Sequence, residues 1–407
     1  RLLPDDAEAS IRLALLLLKT GLSGEALALA RTLAARQAPT AQVLSFQGQA
    51  LVQQARITEA VAIFDQAAAM DPASASVLSQ GLFARLYSET LSADLVADTH
   101  REYGARIRAM APAAGPDAAT ERRRRSPPLR VGYLSPDLVG HPVGLFMEPI
   151  LEHHDRAAVT SYCYADSKGN DATTERLRHA ASHWRPCTGM SDDDLFALIQ
   201  SDQIDILVDL AGHSAGGSRQ VLMARRPAPV QMLYLGYPGS SGQNGIDYVI
   251  ADPYVLPDDA AHRFSETAVR PSPCFLCFKP PQDAPAVSLP PVLANGYVTF
   301  GSYNHLPKLS DTTLGLWAQV LDAVPGSKVI LKASPLADEA TREAVLIDTV
   351  RELPATLILR PFNLETLATR TYRLASDERL VEASIPALIL LAAGLLPVLL
   401  LTRTGKR

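Results

Sequence analysis

The residues best suited to chemistry stand on glycine-bearing turns. His141 lies in 135-SPDLVGHPVGLF-146, directly after the apolar run 129-LRVGYL-134. A buried strand, a polar Gly/Pro turn and then an apolar helical segment is how an α/β protein presents a reactive side chain at the carboxyl end of its sheet. An imidazole titrates near neutrality and is well fitted to moving a proton there. A polar surface histidine would show the same pattern, and spacing alone leaves both readings open. His213 sits on a second such turn, 209-DLAGHSAGG-217. Lys308, in 300-FGSYNHLPKLSD-311, lies just before a helix expected from Ser310, and taken by itself it reads as a solvated surface lysine. Cys274 and Cys277 form a CxxC, but no second pair or histidine cluster accompanies it, which favours two half-buried residues at a strand end over a zinc or redox site.

These turns need a scaffold, and composition bounds it. The chain has 407 residues, is 47% hydrophobic and 20% charged, and fits two or three ordinary globular domains. A net charge of −5 gives no reason to expect nucleic acid, and the basic run 122-RRRR-125 reads as a solvated linker. Four cysteines argue against a disulfide framework and suit a reducing cytosol, so a cytoplasmic location is expected. The chain opens on Arg1 without a signal-peptide pattern and reads as a fragment or processed product. The apolar stretch 383-ASIPALILLAAGLLPVLLLT-402 has the length of a membrane span, but its internal prolines and glycine favour a buried helix, turn and strand.

Residues 7 to about 110 are Ala/Leu-rich with helical periodicity. Taking 41–74 as one 34-residue repeat places Leu44, Gly48 and Leu51 on a first helix and Ala60, Phe64 and Ala67 on a second, closed by Pro72. That is the tetratricopeptide pattern, with small residues where two helices cross. Residues 7–40 are a weaker copy, with Ala14 and Ala26 at the matching small positions, and 75–110 read as two further helices. A generic Ala-rich bundle is the alternative. From residue 129 strands and helices alternate, with strands expected at 129–134, 159–165, 204–210, 230–236 and 247–252, which implies a parallel sheet covered on both faces. After the proline-rich stretch 279–295 a second α/β unit is expected, with strands at 297–304, 328–333 and 357–362 and helices from Ser310 and around 338–352. The domains expected are therefore helical repeats over 1–110, a linker over 111–128, a first Rossmann-like lobe over 129–280, a hinge over 281–295 and a second lobe over 296–407.

Three stretches carry a family resemblance. The turn 137-DLVGHPVG-144, the long string 226-RPAPVQMLYLGYPGSSG-242 followed by Asp247-Tyr248, and 300-FGSYNHLPKLSD-311 with Trp317 and 324-VPGSKVILK-332 resemble the catalytic domain of the O-linked N-acetylglucosamine transferases and their SPINDLY-type relatives. The resemblance implies a GT-B fold, two Rossmann-like lobes behind a tetratricopeptide region. It further implies metal-independent transfer of a sugar from a UDP-sugar, usually UDP-GlcNAc, to serine or threonine hydroxyls of proteins. By the same resemblance, His141 is the cleft histidine, acting as general base or as an orienting group. Lys308 meets the donor diphosphate, Asn304 and His305 lie on the nucleotide loop, and Tyr237, Pro238, Gly239, Ser240 and Gly242 line the sugar and acceptor side. Protein acceptors would be held by the helical repeats, and His213 would be a wall of the cleft without a catalytic role.

The sequence departs from this family at His305, where some relatives have glutamine or arginine, and most of all later in the second lobe. An acidic-Leu-Asp turn, Asn-Gly and a run of threonines should open a diphosphate-binding helix in the second lobe, yet 374-LASDERLVEASIPALILLAAGLLPVLLLT-402 carries none of them. A non-catalytic relative that binds proteins through its helices is therefore the alternative function.

Overall fold

The computed structural model describes residues 7–343, apart from 37–38, 113–125, 215–218, 272–273 and 282–283. The basic run 122–125, the strand expected at 357–362, the departing segment 374–402 and the apolar stretch 383–402 within it lie outside the described residues, as does most of the helix expected around 338–352. No helix among the described residues is long and apolar enough to cross a membrane. The chain divides into two compact units, one of residues 30–49 with 57–285, the other of 1–29, 50–56 and 286–407.

Six helices come first: α1 (Ala7–Thr20), α2 (Ser23–Arg36), α3 (Ala41–Gln53), α4 (Ile57–Met70), α5 (Ala75–Arg85) and α6 (Ala93–Met110). The larger unit holds α4, α5 and α6 whole, with most of α3 and the end of α2. Gly48 of α3 lets the Phe64 ring of α4 come so close that a Cβ would meet it at 2.7 Å. Leu44, Ala67, Leu78, Leu82, Tyr103 and Ile107 then form one core through α6. Small residues at the crossing and large ones between the helices are what the repeat spacing required.

The same unit contains β1 (Leu129–Ser135), α7 (Pro142–His153), β2 (Val159–Ala165), α8 (Ala172–Ala180), β3 (His183–Pro186), α9 (Asp192–Ser201), β4 (Ile206–Asp209), α10 (Gln220–Ala224), β5 (Val230–Leu233), β6 (Tyr248–Ile250) and β7 (Thr267–Val269). They form a seven-stranded sheet in the order β3-β2-β1-β4-β5-β6-β7. Every pairing is parallel, with Leu129 opposite Val159 and Val131 opposite Ile206. Side chains alternate between the two faces. Val131 and Tyr133 of β1 and Cys163 of β2 share a core with Val143, Met147 and Leu151 of α7. Leu134, Tyr162, Tyr164 and Leu207 point the other way, into a core with Leu195 and Ile199 of α9. Both faces are buried, which is why these strands read as unbroken apolar runs. The strands β3 and β7, which the sequence pattern did not suggest, are the two edges of the sheet.

In the smaller unit α11 (Val292–Asn295) precedes β8 (Thr299–Ser302), which pairs in parallel with β9 (Lys328–Leu331), and α12 (Asp311–Ala323) connects them. Ser310 caps α12 by accepting the Thr313 N–H at 3.2 Å. Trp317 and Leu321 of α12 close over Phe300, Val329 and Leu331. The α1–α2 turn belongs to this unit, with Ser23 Oγ 2.8 Å from Thr341 Oγ1 and the Gly24 N–H donating to Asp338 at 3.2 Å.

Two glycine substitutions test these contacts. A Cβ at Gly104 of α6 would collide with the backbone of Gly242, so Gly104→Ala should cost about 1–3 kcal/mol. At Gly315 of α12 a Cβ has open space, so Gly315→Ala should stabilise its helix by about 0.5–1 kcal/mol. Urea denaturation of both variants measures the two signs.

Candidate active site

The strand order places the first candidate. Chain connections from β1 and β4, adjacent in the sheet, lead to opposite sides, β2 on one and β5 on the other. Open parallel sheets bind ligands at the carboxyl ends of such a strand pair. His141 stands on the loop leaving β1, as the N-cap of α7, with Pro142 as the first helical residue. Its Nδ1 accepts the Val143 N–H at 3.3 Å, so the neutral ring carries its proton on Nε2. Asp137 Oδ2 lies 3.9 Å from the same Nδ1, and the histidine side chain is 46% exposed. Burial raises the Asp137 carboxyl above its usual range, and the neighbouring His141 partly opposes this. For Nε2 to accept a hydroxyl proton the ring proton must sit on Nδ1, and the Asp137 carboxylate is the group positioned to take that N–H. The arrangement can therefore present either a donor or a base at Nε2.

The second candidate is in the smaller unit. Tyr303, Asn304, His305 and Lys308 follow β8, and all four are exposed. The short 3₁₀ turn Leu306–Lys308 is buried at Leu306 and Pro307, which holds Lys308 just ahead of the capped start of α12. Asn304 Nδ2 reaches Ser302 Oγ at 3.5 Å. Among the described residues Lys308 has no carboxylate partner. A free ammonium beside a helix N-terminus suits an anion. The structure thus brings Asn304, His305 and Lys308 together at one strand end, while His141 belongs to the other unit.

The glycine-rich loop after β5 has a different role from the one expected. Tyr237 is buried, and its hydroxyl donates to His100 Nε2 of α6 at 2.6 Å. A Cβ at Gly242, whose φ is +71°, would meet the backbone of His100. Ser240 Oγ donates to Glu266 at 2.7 Å, and the Ser241 N–H donates to the same carboxylate at 2.8 Å. Tyr237 and Gly242, expected to line the sugar side, make their close approach to the helices. Pro238, Gly239 and Ser240 do line a cavity of about 280 Å³, shared with Arg85, His100 and Arg263. His213 is likewise no cleft wall. It is 1% exposed, accepts the Ser79 hydroxyl of α5 at 2.8 Å and donates to the Ser241 carbonyl at 2.9 Å. Cys274 and Cys277 are exposed and outside any disulfide, not half-buried, and no cluster of three metal-ligating side chains occurs among the described residues.

A model of glycosyl transferase family 41 matches residues 112–277. The structure superposes on a mutant O-GlcNAc transferase of Thermobaculum terrenum with a TM-score of 0.79 and 31% identity, covering 90% of this chain and 70% of that one. The chain belongs to glycosyl transferase family 41. Its fold is accordingly α/β of the GT-B type. It is 35% identical over 282 residues to a protein of Arabidopsis thaliana named as a probable UDP-N-acetylglucosamine–peptide N-acetylglucosaminyltransferase, SPINDLY. That match covers 68% of this chain and 30% of the relative. A Caenorhabditis elegans UDP-N-acetylglucosamine–peptide N-acetylglucosaminyltransferase is 38% identical over 145 residues, 34% of this chain and 12% of that one. This chain thus spans about a third of the length of the SPINDLY proteins it matches.

Some of the most family-specific residues serve the fold. Arg226, held at φ +54°, donates to both oxygens of Asp247 at 3.0 and 2.9 Å and to the Gly245 carbonyl at 2.8 Å. Gln231, fully buried, donates to the Met223 and Gly245 carbonyls. Sequence reasoning missed Asp137, Asp171 and Arg219. Arg219 bridges Asp166 at 2.7 Å and Asp192 at 2.8 Å, a pairing that charge spacing along the chain does not reveal.

The buried histidines set a pH dependence. Burial pushes His100 down to about 4 and His213 down to about 3, below the ordinary unfolded value of about 6.5. The unfolded chain therefore binds protons first as the pH falls, so stability is full above about pH 6.5 and declines toward pH 4. Burial raises the Glu266 carboxyl, which works in the opposite direction. Urea midpoints from about pH 7 to pH 4 should fall steeply in the native chain and less steeply in His213→Gln. Equal slopes would contradict this account.

Proposed function

We propose that this chain moves a sugar, N-acetylglucosamine in keeping with its relatives' names, from a UDP-sugar to serine or threonine hydroxyls of proteins. In this reading the region around 296–407 holds the donor, 129–280 the acceptor side, 281–295 joins them, and the helices of 1–110 recruit the acceptor protein in the cytoplasm. The observation that carries it is Lys308, which has no carboxylate partner among the described residues and stands ahead of α12, within a chain of family 41. As the bond from the anomeric carbon to the diphosphate breaks, negative charge grows on the leaving oxygen. A fixed ammonium and the α12 N-terminus stabilise that charge without a metal. On the acceptor side His141 Nε2 takes the hydroxyl proton, or directs the hydroxyl while the departing phosphate takes it.

A second reading, a protein-binding relative without transferase activity, is favoured by one observation: residues 374–402 lack the Asn-Gly and threonine run expected of a diphosphate loop. Several oriented donors would be missing, each contributing about 1–3 kcal/mol when charge-assisted.

Calorimetric titration with UDP and UDP-GlcNAc, without metal, decides between them. The transferase reading expects micromolar binding by the native chain and a loss of at least tenfold in Lys308→Ala, about 1.4 kcal/mol. No binding by a folded native chain would favour the protein-binding relative.

A further inference from the structure

The turn that presents His141 is held from outside by the first residues of α8. Asp171 caps this helix in a reciprocal capping box: Oδ1 accepts the Thr174 N–H at 2.9 Å, and the Thr174 hydroxyl faces the Asp171 N–H at 3.3 Å. The box has a second use. Asp171 Oδ2, which the cap leaves free, accepts the Gly140 N–H at 2.6 Å, and the Thr174 hydroxyl also reaches the Leu138 carbonyl at 3.2 Å. Between these two anchors, Val139 lies against Gly169, where a Cβ would come within 2.8 Å of its side chain. Three consecutive residues before His141 are thus fixed by the segment Gly169–Thr174. Among the described residues the imidazole itself has only the Val143 N–H and, farther away, Asp137. Its place is therefore inherited from the backbone of the turn.

We propose that Asp171, through Gly140, is a positioning residue that sets where the His141 ring stands. The inference rests on the reading of His141 as the acceptor-side group. In agreement with the geometry, the N–H groups of Thr174 and Gly140 hold the Asp171 carboxyl below the usual carboxylate range, so it is ionised at neutral pH and accepts through both oxygens. A displacement of about 1 Å at a reacting group costs on the order of a hundredfold in rate. A Cβ at position 140 would stand 2.9 Å from Asp171 Oδ2, so a side chain there would push that carboxylate aside.

Asn separates the two uses of the carboxylate. An amide has one acceptor oxygen where Asp171 uses two, and Asn is as good a helix cap as Asp. Asp171→Asn should keep α8 and the melting temperature while turning an amide N–H₂ toward the Gly140 N–H. Using the full chain, we expect kcat for glycosyl transfer to fall about 10- to 100-fold with the donor KM unchanged, and the imidazole ¹⁵N resonances of His141 to move. In a His141→Ala background Asp171→Asn should add no further loss. Asp171→Ser, which keeps a cap but does not reach Gly140, should resemble the Asn variant. A folded Asp171→Asn chain with native kcat and unmoved His141 resonances overturns the proposal. The resonances decide the question without turnover. Full activity in His141→Ala would instead remove the catalytic reading of His141 on which the proposal stands.

Discussion

The functional part of the larger unit depends on one constraint, the parallel pairing of β1 with both β2 and β4. Because the chain continues to one side from β1 and to the other from β4, the loops at their carboxyl ends diverge and leave a crevice. The loop after β1 carries His141. The loop after β4 starts at Asp209, whose buried carboxylate accepts the Ala211 and Gly212 N–H groups and the Gln220 amide. A buried carboxylate without such partners would be costly. With them it fixes the path of the chain out of the sheet.

A second buried polar layer joins the helices to this sheet. His100 with Tyr237 and the close approach of Gly104 to Gly242 lie between α6 and the loop after β5, and Ser79 with His213 lies between α5 and the loop after β4. Each ring nitrogen of the two histidines has a partner, so the layer is satisfied while both rings are neutral. The functional consequence is geometric. Helices α5 and α6 share one compact unit with the His141 turn, so a protein held on them would stand at a fixed offset from His141. Binding energy gained far from the chemistry can then orient the acceptor hydroxyl.

Much of this was legible in the sequence, for reasons that also explain what was not. The strands β1, β2, β4 and β5 are buried on both faces and announce themselves as apolar runs. The edge strands β3 and β7, partly exposed and only four and three residues long, leave no such trace. Strand, turn and cap around His141 follow local rules and could be read directly. A glycine such as Gly242 does not say what approaches it, and here a helix does, while its neighbours line a cavity. Asp171 went unread because its bond to Gly140, 31 residues earlier, belongs to the tertiary structure alone.

The central claim is that this chain transfers a sugar to a protein hydroxyl through the end of the sheet that carries His141. Intact-mass analysis of a serine-containing acceptor protein, incubated with UDP-GlcNAc and either the native chain or His141→Ala, tests it most directly. The account predicts addition of one N-acetylhexosamine by the native chain and at least a hundredfold lower kcat/KM in the variant, roughly 2.7 kcal/mol of transition-state stabilisation, with UDP affinity unchanged. A native chain that binds UDP-GlcNAc yet modifies no acceptor, or a His141→Ala chain of native activity, would contradict it.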